Sequence, residues 1–138
     1  GSYGMVVPRL VGQALSGSPI TIFGSGEQTR CFGHVTDVVE ALIGLMKSTE
    51  AEGQVFNVGA RGEISINDLA LKITELTGST SEIIRIPYDQ AYEVGFEDMQ
   101  RRRPDIRKIN ALLGWQPTRD LDDVINDVAA DLKSRSTT

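Results

Sequence analysis

The chain has 138 residues, 40% hydrophobic and 24% charged, which suits one compact domain with a buried core. Its formal net charge of -5 excludes broad binding to nucleic acid or to anionic membrane surfaces, since both need a basic face. The single cysteine, Cys31, excludes an internal disulfide and a multi-thiolate metal site and fits a reducing cytoplasm, and no apolar run approaches the ~20 residues that a membrane-spanning helix needs.

Gly1-Ser2 reads as a cloning remnant, and on that expectation Tyr3 is not a natural start and the chain is a piece of something longer. From Met5 to Leu15 the apolar residues Met5, Val6, Val7, Leu10, Val11, Ala14 and Leu15 recur at three-and-four spacing, which predicts an amphipathic helix with Pro8 in its first turn. Ser16 to Pro19 stops it. Ile20, Ile22 and Phe23 then predict a strand, broken by Gly24-Ser25-Gly26. Arg30 follows, ahead of a second short extended run from Cys31 to Val35. Thr36-Asp37, with Glu40 three residues after Asp37, predicts the N-cap of a helix that runs to about Lys47.

Gln54 to Gly59 carries no amphipathic alternation and reads as a strand buried on both faces of a parallel sheet, with Asn57 near its end. Ser65 and Asp68 predict the start of a helix with Leu69, Ile73 and Leu76 inward, ended by Thr77-Gly78-Ser79. Ile83, Ile84 and Ile86 form a brief strand before Pro87. Tyr88 to Gln100 has no clean period and reads as a loop, and Arg101-Arg102-Arg103-Pro104-Asp105 leads into a helix on Ile106, Ile109, Leu112 and Leu113, closed by Gly114. A last helix covers about Leu121 to Leu132 with Val124, Ile125 and Val128 inward, and Ser134 to Thr138 reads as a disordered tail. Helices alternating with short strands, without repeats, give an α/β architecture in one domain or most of one.

The stretch from Thr21 to Leu42 has a ligand-facing layout. Arg30 sits beside a glycine turn that lets backbone approach a ligand, and a fixed guanidinium suits bidentate phosphate recognition; its bland alternative is an ion pair with Glu27 or Glu40. His34, between Phe32 and Val35, reads as a core or supporting hydrogen-bonder, and Asp37 as a helix cap. Asn57 stands either where α/β sheets bind ligands or simply fixes the turn at Gly59. Arg101 to Arg103 form either a solvated face or a substrate grip, with a nucleic-acid contact as a weaker alternative on this acidic chain. The sequence contains no G-x-G-x-x-G, no Walker loop, no zinc-ligand cluster and no Tyr-x-x-x-Lys, so no catalytic residues and no metal site are assigned.

The order PRLVGQALSGSPITIFGSGEQTRCFGHVTDVVEAL, VFNVG, RRRPDIRKINALLGWQP resembles the C-terminal part of the extended short-chain dehydrogenase/reductases, the NAD-dependent nucleotide-sugar epimerases and dehydratases. The resemblance runs from Tyr3 to about Leu132 and rests on the glycine-bounded turn, Gln28-x-Arg30, His34-Val35-x-Asp37, Asn57-x-Gly59 and Leu113-Gly-Trp-x-Pro117. It implies a Rossmann-type enzyme of which residues 3–133 supply mostly the small sugar-nucleotide-binding domain. Arg30 then matches the arginine that binds the diphosphate, Thr21 and Phe23 match strand positions that touch the base, and Val6 lines the same pocket. Asn57 matches the asparagine after the buried strand, and Arg102 matches an arginine that reaches the diphosphate or sugar.

The wording GFEDMQRRRPD is closer to UDP-glucuronic acid decarboxylases than to epimerases, which usually show Arg-Pro-Gly-Asp there, and this leaves the reaction open among epimerisation, dehydration and decarboxylation. The family's chemistry implies NAD in the full-length parent, oxidising the sugar at C4, with none bound by this chain alone. The expected partner is a nucleoside-diphosphate sugar, with UDP or dTDP as the nucleotide, together with self-association into a homo-oligomer through apolar helix faces. A free-standing, non-catalytic binding module is the alternative.

Overall fold

Apolar residues at helical spacing fold Val6–Ser16 into α1, the first element of a computed structural model that describes residues 5–87 and 103–136. Val7, Leu10, Val11 and Ala14 form its buried stripe, and Pro8 falls in the first turn, where its missing N–H costs no helical bond. β1, Ile20–Phe23, pairs in parallel with β4, Ile83–Ile86, in the register Ile20 to Ile83 and Phe23 to Ile86. A parallel pair needs a long crossover, and all the elements between them lie within it.

The glycine turn after β1 is tied to the start of α3, Ile66–Thr77. Gly26 has φ 76, and a Cβ there would lie 2.1 Å from Asn67 Oδ1, so only glycine fits. Asn67 closes the turn by donating its backbone N–H to the Gly26 carbonyl and its side-chain Nδ2 to the Ser25 carbonyl. β2, Thr29–Arg30, and β3, Ile64–Ser65, form a two-residue antiparallel ladder in which Arg30 faces Ile64. The extended run expected from Cys31 therefore falls earlier in the chain, and Arg30 lies within the ladder rather than between two strands.

α2 spans Val35–Lys47, and a 3-10 turn follows at Thr49–Ala51. Its N-cap is His34, whose Nδ1 accepts from Thr36 N at 3.1 Å, so the expected cap at Thr36-Asp37 is corrected: Asp37 lies inside the first turn. The Ser65 cap of α3 is as expected, with its Oγ accepting from Asp68 N at 3.1 Å. α4 is Arg107–Leu113, ended by Gly114 in the left-handed conformation. α5 is Leu121–Ser136, so Ser134 to Ser136, expected in a disordered tail, continue the helix, where Arg135 pairs with Asp131 one turn back.

Residues 54–60 do not form the expected strand. Val55, Phe56 and Val58 have strand composition, but a strand exists only through a ladder, and the described residues give this run none. The run is held instead by Lys108, whose Nζ donates to the Val55 carbonyl at 2.7 Å and lies 4.5 Å from the Phe56 ring centre. The loop expected from Tyr88 to Gln100 lies outside the described residues.

Two apolar clusters result. In the first, α1, β1, α3 and α5 close around Leu10, Val11, Ile20, Ile22, Leu69, Ile73 and Ile125, all fully buried. The second gathers Ala41, Ile106 and Ile109 with Leu45, Phe56, Val58, Leu113 and Trp115. On the other side of α2, Val35, Val39, Leu42, Ile43 and Met46 are exposed, to 70% at Val35 and 85% at Met46, and Val55 is exposed to 82%.

Candidate functional site

β1 brings two of the sequence-predicted residues, Thr21 and Phe23, onto one edge beside α1, and the third, Val6, lies on α1 itself. In a parallel pair successive residues point their main-chain groups to alternate edges, and Ile20 N and Gly24 N donate to Glu82 and Ile86 of the β4 side. Thr21 and Phe23 therefore face the opposite edge. Arg9, on α1, donates from Nη1 to the Thr21 carbonyl at 2.8 Å and to its hydroxyl, and stacks over Phe23 with its guanidinium carbon 4.6 Å from the ring centre. Gln13, one turn on, donates to Thr21 Oγ1 at 2.9 Å and accepts from Thr21 N at 3.0 Å. Val6 begins the same helix, packs half-buried against the first core, and lines a groove of about 800 Å³ between the start of α1, Cys31 to Thr36, and α5.

Three further segments converge. Arg30 is half-buried in β2 and donates from Nη1 to the Thr29 carbonyl at 2.7 Å. Three residues on, Gly33 touches the next segment: a Cβ there would stand 3.6 Å from Ala60 N and 3.9 Å from Gly59 Cα. Gly59 in turn lies against Pro104, where an added Cβ would come within 2.6 Å of Cγ, so any larger residue would push the two loops apart. The loops following Arg30 and Asn57 thus meet each other and the Pro104 loop. Asn57 is exposed on the run 54–60, and Arg102 lies outside the described residues.

Two clefts flank this meeting point, and Arg61 lines both. One, about 430 Å³, is bounded by Arg61, Arg103, Pro104, Asp105, Arg107 and Asn110. The other, about 450 Å³, lies between Phe32 and residues 60–64 on one side and Pro117 to Leu121 on the other. The Arg107 guanidinium grips both oxygens of Asp105 and lowers its pKa to about 2, and Arg61, Arg103 and Arg107 are all exposed on the cleft. Arg103 belongs to the basic run Arg101 to Arg103 that the sequence marks, whereas Arg61 carries no signal there beyond a basic residue between Gly59 and Gly62.

His34 and Asp37 hold this region in place. Because His34 Nδ1 accepts from the α2 backbone, its proton sits on Nε2 and is donated to Asp127 of α5, which agrees with a supporting role. Asp37 is 1% exposed and accepts from Thr118 N and Oγ1, each at 3.1 Å, from Arg119 N at 3.0 Å and from Arg119 Nη1 at 2.6 Å. Burial raises the pKa of its carboxyl, but the bonds from Arg119 and Thr118 outweigh that and leave it below the ordinary carboxylate value. Trp115 Nε1 donates to the Asp37 carbonyl at 3.0 Å. Glu40, one suggested partner of Arg30, lies 3.5 Å from Arg119.

Among the described residues, the turn after β1 does not have the form of a dinucleotide-binding turn. Such a site needs a strand, a glycine turn and a helix N-terminus in succession, whereas β1 and its glycine turn lead into β2. Among the described residues no cluster of His, Cys, Asp and Glu is placed to hold a metal, and no helix is long and apolar enough to cross a membrane.

Residues 3–128 match the family model described as GDP-mannose 4,6 dehydratase. The chain is 38% identical over 117 residues to UDP-N-acetyl-alpha-D-glucosaminuronate decarboxylase of Bacillus cytotoxicus, covering 85% of this chain and 36% of that protein. It is 42% identical over 123 residues to UDP-glucuronic acid decarboxylase 1 of Xenopus tropicalis, covering 89% and 27%. Among solved structures it is similar to UDP-glucose 4-epimerase of Thermotoga maritima with UDP-glucose, at TM-score 0.85 and 28% identity over 99% of this chain and 42% of that one. It is also similar to UDP-glucuronic acid 4-epimerase of Bacillus cereus in complex with UDP-glucuronic acid and NAD, at TM-score 0.83 and 27% identity over 95% and 40%. The chain thus spans roughly a third of the length of the curated relatives it matches.

Proposed function

This chain belongs to the GDP-mannose 4,6 dehydratase family, among the extended short-chain dehydrogenase/reductases that act on nucleotide sugars, and from that premise we propose that it is the sugar-nucleotide-binding portion of such an enzyme. The observation that carries this reading is the convergence of the loops after Arg30 and Asn57 with the Pro104 loop through Gly33 and Gly59. Arg30 clamps the diphosphate, and Thr21, Phe23 and Val6 bound the base. Asn57 and Arg102 complete the grip toward the sugar. A diphosphate carries the charge density that a guanidinium fork recognises, and Arg61, Arg103 and Arg107 against Asp105 make the cleft beside Pro104 cationic despite the acidic whole.

Hydride chemistry belongs to residues outside this chain. NAD, present in the Bacillus cereus relative, would be held by an upstream half that also supplies the base for C4 oxidation. The exposed apolar stripe of α2 and the strand-like run 54–60 without a ladder support this division, because both are shaped to meet more sheet than these residues contain. The same features argue against a free-standing binding module. The Bacillus cytotoxicus and Xenopus tropicalis relatives are decarboxylases of UDP-uronic acids, and the wording around Arg102 leans the same way, so decarboxylation of a UDP-uronic acid is the reaction we favour for the parent.

The test is calorimetry on the full-length protein. Arg30→Ala should weaken UDP-sugar binding by the cost of charge-assisted hydrogen bonds, about 1.5 to 3 kcal/mol or roughly 10- to 150-fold. Unchanged affinity would remove Arg30 from the site.

A further inference from the structure

Resting on the nucleotide-sugar reading, we propose that Arg61 is a specificity-determining residue that recognises an acidic group on the sugar, so that the cleft beside Pro104 selects a uronic acid over a neutral sugar. The donors and acceptors of that cleft carry the argument. Arg61, Arg103, Asp105, Arg107 and Asn110 supply the polar side chains around its 430 Å³. Three guanidinium groups face one carboxylate there, which leaves two positive charges unbalanced on a chain whose net charge is -5. Both Asp105 oxygens accept from Arg107, through Nε and Nη2, and among the described residues no carboxylate pairs with Arg61 or Arg103. Arginine donates and never accepts, so the lining holds an excess of donors. A sugar hydroxyl brings a donor of its own, whereas a carboxylate is acceptor-only and takes two parallel bonds from one guanidinium. Asn110 commits its amide donor to the Trp115 carbonyl at 3.1 Å, which leaves Oδ1 as an acceptor for a hydroxyl beside the acid.

The position of the cleft agrees with its chemistry. A diphospho-uronic acid carries two separate anionic groups, and Arg30 accounts for the diphosphate alone. Arg61 follows Asn57 by four residues and Arg103 adjoins Arg102, so both walls of the cleft continue from the residues assigned to the sugar. The loop after Arg30 reaches the same run, since a Cβ on Gly33 would stand 3.6 Å from Ala60 N, one residue before Arg61. Gly59 lies against Pro104 and sets the spacing of the two walls. Arg61 thus stands in the wall that meets the Arg30 loop, where one ligand presents its second charge after its first.

The experiment titrates UDP, UDP-4-deoxy-4-fluoro-glucuronic acid and UDP-4-deoxy-4-fluoro-glucose separately into the full-length protein and its variants by calorimetry. Neither sugar has a C4 hydroxyl to oxidise, so binding is read without turnover, and the two differ only at C6. The wild type should prefer the uronic acid by at least about tenfold. Arg61→Met should lower that ratio about tenfold and leave UDP and the neutral sugar unchanged, and Arg61→Lys, which keeps the charge but not the fork, should give an intermediate ratio. An unchanged ratio in Arg61→Met overturns the inference. A parallel loss for all three ligands also overturns it, because Arg61 would then serve the diphosphate or the fold. If Arg61→Met lacks a cooperative melt, Arg61→Lys decides alone: a ratio between one and the wild-type value supports the inference, and a wild-type ratio overturns it. A wild type that binds UDP without preferring the uronic acid overturns this inference only. A wild type that binds neither UDP nor either sugar overturns the nucleotide-sugar reading as well.

Discussion

The two apolar regions of this molecule are built from similar residues and end up differently. Between α1, β1, α3 and α5 the isoleucines and leucines are fully buried, and each element covers the others. Around α2 and residues 54–60 the same residue types cover one side only, and Val35, Val39, Leu42, Ile43, Met46 and Val55 face outward. A helix turns an apolar stripe to water only at a cost of about 25 cal/mol per Å² forgone, so a stripe this long marks a surface shaped for something to pack on it. The closed region can explain its own stability from the residues present, and the open one cannot. Asp37 joins them, since its carboxylate holds the chain that enters α5 while it sits in the first turn of α2.

The largest expected effect sharpens the contrast. Ile73→Ala removes a fully buried side chain from the closed region and should cost about 2 to 5 kcal/mol in denaturant unfolding, because the surrounding helices cannot collapse onto the void. A loss under about 1 kcal/mol would mean that this region is looser than its burial indicates.

Next in size is Asp37→Asn, which leaves Arg119 facing a neutral amide and withdraws an acceptor from the buried set. We expect a cost of about 3 kcal/mol, as for breaking a buried hydrogen-bonded charge pair whose remaining partner is partly hydrated. Hydrogen exchange should speed up in α2 and not in α3, since only α2 loses its tie to the closed core. Equal acceleration in both helices would show that the two regions are not separable.

A smaller effect tests the open face. Leu42→Gln with Met46→Gln should change the stability of this chain by less than about 0.5 kcal/mol, the usual range for exposed positions, while lowering its concentration-dependent self-association in light scattering. In the full-length protein the same pair should be clearly destabilising. A similar small change in both proteins would break the comparison, because the face would then be exposed by design.

What was legible in the sequence follows the same division. α1, α3 and β1 announce themselves by period and cap, because their partners lie within the chain: Ser65 caps α3, and Val7, Leu10, Val11 and Ala14 form the stripe that the spacing predicts. Gln54 to Gly59 has the composition of a strand without forming one, because strand composition records the partner that a segment is built for, and here the described residues supply no ladder. Asp37 looked like a cap since short-range spacing was the only view available, and its true partners are 81 and 82 residues away. His34 took the cap because an imidazole acceptor can do what Ser or Asp usually does. Among the candidate site residues, Arg30 is marked by its setting beside the glycine turn, whereas Thr21, Phe23 and Val6 come from motif resemblance alone. Arg9 and Gln13 come from neither, although their spacing of four on one helix places them on one face and offers a signal to anyone who asks which strand that face meets.

The smallest effect near neutral pH is that of proton binding, and its salt dependence separates Asp37 from Asp105. The folded-state values of Asp37 and Asp105 both lie below the ordinary 3.8, Asp105 at about 2, where the Arg107 side chain holds it. A carboxylate depressed on folding contributes stability that is fully present above its unfolded value and is lost as pH falls through the folded one. Stability should therefore decline below about pH 4 as these groups are protonated, with no acid limb from either group above that. Asp105 is exposed on the cleft, so its share is screened by solvent and should shrink in high salt, whereas that of buried Asp37 should persist. Asp37→Asn should accordingly flatten the salt-resistant part of the acid limb. An acid limb in that variant as steep as the wild type's, measured in high salt, would show that the bond between the two regions is not carried by the Asp37 charge.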